Sequence, residues 1–125
     1  MGRDVSARTT GSAGERAAER FLVRRGWTIV ARNWRGGGGE IDIAATRRGV
    51  LAICEVKTRG DAWALAEPLT AAQRARIGRA GAAFLAGRPA LARHAVRFDL
   101  CTVTRRRLGF RVRQIPAAYS VRGQW

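Results

Sequence analysis

Apolar residues return along this chain in two rhythms. Between Ser12 and Gly26, Ala17, Ala18, Phe21 and Leu22 recur at helical spacing. Ser12 and Glu15 read as a capping box opening that helix, and Gly26 as a left-handed stop. Trp27 to Arg32 then reads as a short strand, and Asn33 to Gly39, with its run of four glycines, as a connector without regular structure. Glu40 to Ala45 and Val50 to Thr58 alternate as strands do, and Thr46 to Gly49 is short enough for a hairpin turn between them. A second helix opens at Thr70, with Gln73 as reciprocal cap, and runs through Ile77, Ala80, Gly81 and Phe84 to stop signals at Gly87 and Pro89. His94 to Thr104 and Leu108 to Ile115 complete the strands. The order predicts an α/β fold, a mixed central sheet flanked by helices. Residues 12–116 form one domain in this reading, between a flexible N-terminus (1–11) and a C-terminal tail (117–125).

Composition narrows the class. The 125 residues carry 24 Lys+Arg against 9 Asp+Glu, a net charge of +15. No run of about 18 apolar residues exists to span a membrane, and the polar N-terminus does not read as a secretory signal, so a cytoplasmic protein without membrane association is expected. Cys54 and Cys101 lack paired spacing and read as small buried hydrophobes rather than a disulfide or zinc framework. The charge favours a polyanionic partner such as nucleic acid; Arg35, Arg47, Arg48, Arg59 and Arg74 are candidate phosphate contacts. Trp34, Trp63 and Trp125 are either stacking groups for single strands or packing residues. Arginine richness also has a compositional explanation in codon bias. More telling is that 23 of the 24 basic residues are arginine and the single lysine is Lys57.

Alternation along the strands places Glu40 and Asp42 on one face, with Ile41 and Ile43 on the other, and puts Glu55 and Lys57 on a common face roughly 6.5–7 Å apart. With the turn centred on Arg47 and Arg48, Asp42 lies opposite Ile53 and diagonal to Glu55, about 7–8 Å away. Two carboxylates and an ammonium thus converge among apolar neighbours, where unpaired charge is costly. A hard divalent cation accounts for them: magnesium accepts few carboxylates, keeps waters and takes phosphate oxygens, while a lysine orients water and offsets transition-state charge. A cross-strand salt-bridge cluster is the structural alternative. Glu40 either hydrogen-bonds near the glycine run or joins the metal; Asp99, two residues after Arg97, reads as an ion-pair or fold residue; His94 has no assigned chemistry.

Asp42 followed by Glu55-Val56-Lys57 resembles the PD-(D/E)XK pattern of restriction-endonuclease-like nucleases. The longer set of Gly14-Glu15, Ala18, Phe21-Leu22, Gly26-Trp27, Arg32-Asn33, Gly39 to Asp42, Glu55 to Arg59, Pro68 to Ile77 and Arg97 to Asp99 resembles the YraN family of small bacterial proteins. The resemblance implies an αβββαβ restriction-endonuclease-like core and a Mg2+- or Mn2+-dependent endonuclease acting on DNA, including branched forms. Asp42 and Glu55 would be its metal carboxylates, Lys57 the catalytic lysine and the Val56 carbonyl a further ligand. By similarity to Holliday-junction resolvases, Glu19 on the first helix approaches the same metal, with Glu15 left to its cap. Gln73 stands where family members often carry lysine, an auxiliary position whose role stays open. A non-catalytic nucleic-acid-binding module, or an interaction component of a DNA-processing assembly, is the alternative reading, and a homodimer is compatible with either.

Overall fold

Helix α1 spans Thr9–Arg24 in the computed structural model, which describes residues 9–59 and 69–125. Readings made on residues 1–8, Trp63, Pro68 and the side chains of Ser12 and Arg59 lie outside the described residues. Strands β1 (Thr28–Gly36), β2 (Gly39–Arg47) and β3 (Val50–Arg59) follow, then helix α2 (Ala71–Ala86), a 3-10 turn at Pro89–Leu91, β4 (Ala95–Arg105) and β5 (Phe110–Ile115). They form one sheet in the order β1-β2-β3-β4-β5, antiparallel except for β3 beside β4, which the α2 crossover makes parallel. The predicted α/β class and mixed sheet are therefore observed, and the arrangement is consistent with a restriction-endonuclease-like core.

Each helix covers one face. Ala17, Ala18 and Leu22 of α1 pack on Ile43, Ala45, Cys54, Cys101 and Val103. Ile77, Ala80 and Phe84 of α2 pack on Ile41, Leu51, Ile53 and Phe98. Full burial of each large aliphatic or aromatic side chain is worth about 1.5–3 kcal/mol, so the two clusters clamp the sheet from both sides. The thiols of Cys54 and Cys101 are free and buried in the first cluster. At the entrance of α2 the Thr70 hydroxyl accepts from Gln73 N–H at 3.1 Å, and Gln73 Oε1 accepts from Thr70 N–H at 2.7 Å, the reciprocal cap expected.

Four expectations need correction. Helix α1 begins at Thr9, three residues early, so Ser12 lies within it; packing of the Ala17–Leu22 face sustains the helix. The glycine run is not an irregular connector: β1 continues to Gly36 and β2 starts at Gly39, with Gly37 and Gly38 at φ 62° and 82° forming a tight turn of the hand that suits strand twist. The next hairpin turns on Arg48 and Gly49, at φ 50° and 78°, pairing Arg47 with Val50 and Ala44 with Ile53. Asp42 therefore is not opposite Ile53. Finally, Ile41 and Ile43 do not share a face, since Ile41 joins the α2 cluster and Ile43 the α1 cluster.

The C-terminal stretch folds back on the α2 face. Trp125 meets Phe98 edge-on at 5.1 Å between ring centroids, and Tyr119 lies 5.9 Å from the same ring. Trp34 packs edge-on against Phe84 at 5.2 Å. Asp99, 0% exposed, accepts hydrogen bonds from Arg97 Nε and Nη2, Gln114 Nε2 and Ala117 N–H, all between 2.9 and 3.0 Å. It is the expected fold residue, pinning β4, β5 and the start of the tail. Among the described residues no helix is long and apolar enough to cross a membrane.

Candidate active site

The site grows from a break in the sheet. β2 and β3 pair from Arg47–Val50 up to Ile43–Cys54, where their ladder ends, although β1 and β2 remain paired through Gly36–Gly39. Beyond the break the Val56 N–H needs a new partner, and the Asp42 carboxylate supplies it, with Oδ2 2.8 Å from Val56 N. A side chain thus replaces a strand carbonyl. This substitution is also where the alternation of β2 changes, which explains why Ile41 and Ile43 part company.

On β3, Ile53 faces α2 while Cys54 and Val56 face α1, so alternation sends Glu55 and Lys57 to the α2 side. Lys57 Nζ lies 3.1 Å from Glu55 Oε2, with the two side chains 22% and 18% exposed. Asp42, Glu55 and Lys57 are therefore brought together, as the sequence indicated. Asp42 is pushed up to about 8, first by burial, then by the negative charges of Glu55, Glu15 and Glu40; its bond from Val56 N–H works in the opposite direction. The carboxylates at this end repel one another more than the local donors offset.

Glu15 is the residue that the sequence reading set aside. Gly14 brings α1 so close to β3 that a Cβ there would collide with the Thr58 side chain, and the next residue places its charge within reach of Asp42. A glycine within an otherwise well-formed helix was the available signal, because it costs about 1 kcal/mol relative to alanine unless something needs the space. Glu19, one turn further along, instead makes a two-pronged contact with Arg32, 2.7 Å at its shortest. Glu40 lies 3.7 Å from Arg35 Nε. Gln73 is engaged in the α2 cap. Tyr119 was also unmarked: its hydroxyl is buried without a hydrogen-bond partner, and burial, then the charge of Glu55, pushes it up.

Among the described residues no three His, Cys, Asp or Glu side chains are gathered into a ready-made ion cage. The donor set nevertheless fits magnesium or manganese, which take one or two carboxylates and fill the remaining positions with water and phosphate oxygens. Asp42 and Glu55, with the Val56 carbonyl, would supply hard oxygen donors, and the negative charge of Glu55, Glu15 and Glu40, which adds to burial in raising Asp42, is what a dication neutralises.

The candidate phosphate-binding arginines are dispersed. Arg35 sits beside the glycine turn with Arg76, lining a concavity of about 380 Å³. Arg74 lines a groove of about 750 Å³ between α2 and the C-terminal stretch, with Arg79 and Arg122. Arg47 and Arg48 lie at the far end of the sheet, on the β2–β3 turn.

A model of the family described as uncharacterised protein family UPF0102 matches residues 14–103. The chain belongs to UPF0102. It is similar to a UPF0102 protein of Paramagnetospirillum magneticum, 40% identical over 120 residues covering 93% of this chain and 91% of that one. A UPF0102 protein of Synechococcus sp. is 39% identical over 109 residues, 85% and 83% of the two chains. That of Caulobacter sp. is 42% identical over 98 residues, 78% and 70%. The YraN resemblance is thereby established as family membership. The span matched contains Glu15, Asp42, Glu55 and Lys57 and stops before β5 and Tyr119.

Proposed function

We propose that this UPF0102 protein is a Mg2+- or Mn2+-dependent nuclease that hydrolyses phosphodiester bonds in DNA, including branched or otherwise structured DNA. The observation that carries the reading is the Asp42 carboxylate, withdrawn from the strand ladder to the Val56 amide, set beside the Glu55–Lys57 pair and crowded by further acids in a protein of net charge +15. Unbalanced anions are an uneconomical way to stabilise a sheet, but they suit a site that gains a dication before it meets phosphate.

In this reading Asp42 and Glu55 hold the metal, with the Val56 carbonyl completing the protein's share. The bound cation would polarise the phosphodiester and lower the pKa of a coordinated water. Lys57, within reach of Glu55, orients the attacking water and offsets charge developing on the phosphorus oxygens. Arginine is too large, planar and permanently protonated to substitute for it readily. The test is a metal-titrated cleavage screen over duplex, flap, junction and single-stranded substrates. Cleavage is expected only with Mg2+ or Mn2+, and Asp42→Ala, Glu55→Ala and Lys57→Ala are each expected to abolish it. Full cleavage by purified Asp42→Ala protein would refute the proposal.

One observation favours the second reading, a nucleic-acid-binding module without turnover: Glu55 and Lys57 already neutralise each other. Chelator-insensitive, salt-dependent binding without cleavage on any of those substrates is its signature.

A further inference from the structure

Two concavities adjoin, one at the foot of the sheet and one running from it along the β5 edge. One, of about 580 Å³, is lined by Arg25, Arg47, Arg97 and Arg113; the other, of about 470 Å³, shares Arg25 and Arg47 and adds Arg48 and His94. Among the described residues no acidic side chain lines either. Converging guanidiniums repel one another within a Debye length of about 8–10 Å, so such a basin is costly unless an anion fills it.

The guanidiniums are also held in place. Arg47 lies over the Trp27 ring at 4.6 Å and donates from Nη1 to the Arg25 carbonyl at 2.8 Å. Arg97 lies over the same ring at 5.4 Å and is braced by Asp99. Arg25 stacks on Phe21 at 3.8 Å. Side chains fixed in this way lose little further freedom when a ligand arrives, and their planar forks match phosphate oxygens.

The basin is separate from the carboxylate site. Arg47 pairs with Val50, and Lys57 is seven residues further along β3, a span of about 23 Å at strand spacing; only Arg113, whose partner Thr102 is paired with Lys57, lies in the register of the carboxylate site and forms the basin's near rim. Along α1, Glu15 and Arg25 are ten residues apart, about 15 Å. Phosphates on one strand of a duplex advance about 3.4 Å per step, so the two ends are about four to seven steps apart. We infer that this basin is a second phosphate-binding station, which grips consecutive phosphates of a nucleic-acid backbone at a distance from the carboxylate site. The inference rests on the reading that the partner is nucleic acid but not on cleavage.

The experiment is an anisotropy titration of a labelled duplex of about 20 base pairs, with EDTA present, between about 50 and 200 mM salt. The basin variant Arg25→Gln/Arg47→Gln/Arg48→Asn is compared with Arg76→Gln/Arg79→Gln/Arg122→Gln, which removes the same charge on the α2 side of the sheet, outside the basin. The basin variant is expected to bind about tenfold more weakly or worse, with the slope of log K against log salt shallower by about 2–3, while the control stays within about threefold of wild type. Arg47→Gln/Arg48→Asn, which leaves the Arg25–Phe21 stack untouched, is expected to show about two thirds of that slope change. Equal losses in basin and control variants would reduce the effect to net charge and overturn the inference. An unchanged slope in both basin variants would overturn it as well. So would a melting shift of wild type with inorganic pyrophosphate, absent from the basin variant, if duplex binding were the same in the two; the ligand would then be a free anion. Asp42→Ala is expected to retain basin-dependent binding, so that failure of the nuclease proposal and failure of this one give different results.

Discussion

Glu15 and Glu19 sit one helical turn apart, and their surroundings assign them opposite work. Glu19 has a partner in Arg32 on β1 and lies on the surface, where an ion pair contributes about 0–1 kcal/mol. Glu15 follows the glycine that seats α1 on Thr58, and its charge bears on Asp42. Groups that act through a metal's ligands typically alter affinity or activity 10–100-fold, so Glu15→Gln is expected to weaken Mg2+-dependent cleavage by at least about tenfold. Glu19→Gln is expected to leave cleavage within about twofold. Metal titrations of the two variants check this, and the opposite ranking would return Glu19 to the site. Sequence reading chose Glu19 because a capping box already explained Glu15.

Elements were more legible than their joints. The α2 cap, the two helical faces and the five strands follow from periodicity and caps, since each is decided within a few residues of its own sequence. The hairpin registers did not follow. A turn of four candidate residues allows several registers, and the positive φ of Arg48 and Gly49 fixed the one found. Nor did the glycine run read as a turn. Its central pair turns the chain, and Gly39 serves a different purpose, since a Cβ there would strike the Arg76 carbonyl of α2. Backbone cannot yield as a side chain tip can. Gly39→Ala is therefore expected to destabilise the protein by about 1–3 kcal/mol, seen as a lower urea midpoint with unchanged slope. A neutral result would show that the β1–β2 hairpin moves freely over α2. The site itself was half visible: the strand face shared by Glu55 and Lys57 obeys alternation, whereas Asp42 acts through the failure of alternation on β2, which only long-range pairing could disclose.

Across the whole molecule, charge and stability are coupled through the same carboxylates. Asp42 is raised from 3.8 to about 8 in the folded chain, so the native state binds its proton more tightly than the unfolded state does. The stabilisation is complete below about pH 4 and is lost as pH rises through about 8, leaving metal-free protein progressively less stable over that window. Mg2+ competes with that proton. Its effect on the melting temperature is expected to be larger at pH 8.5 than at pH 5.5, and Asp42→Asn is expected to flatten the metal-free pH dependence between about 4 and 8. A wild-type curve that rises across this interval would contradict the environment described for Asp42. The same grouping affects how the molecule meets a partner. Four of its nine acids, Glu15, Glu40, Asp42 and Glu55, are gathered in one neighbourhood, while the parallel pairing of β3 with β4 sets Arg105, Arg106 and Arg107 just beyond the same end of the sheet. The carboxylates are thus a local anionic patch in a cationic surround, and a polyanion meets attraction and repulsion side by side there. Loading a dication removes the local repulsion, so metal binding would act first on how closely a phosphate can approach and only then on chemistry.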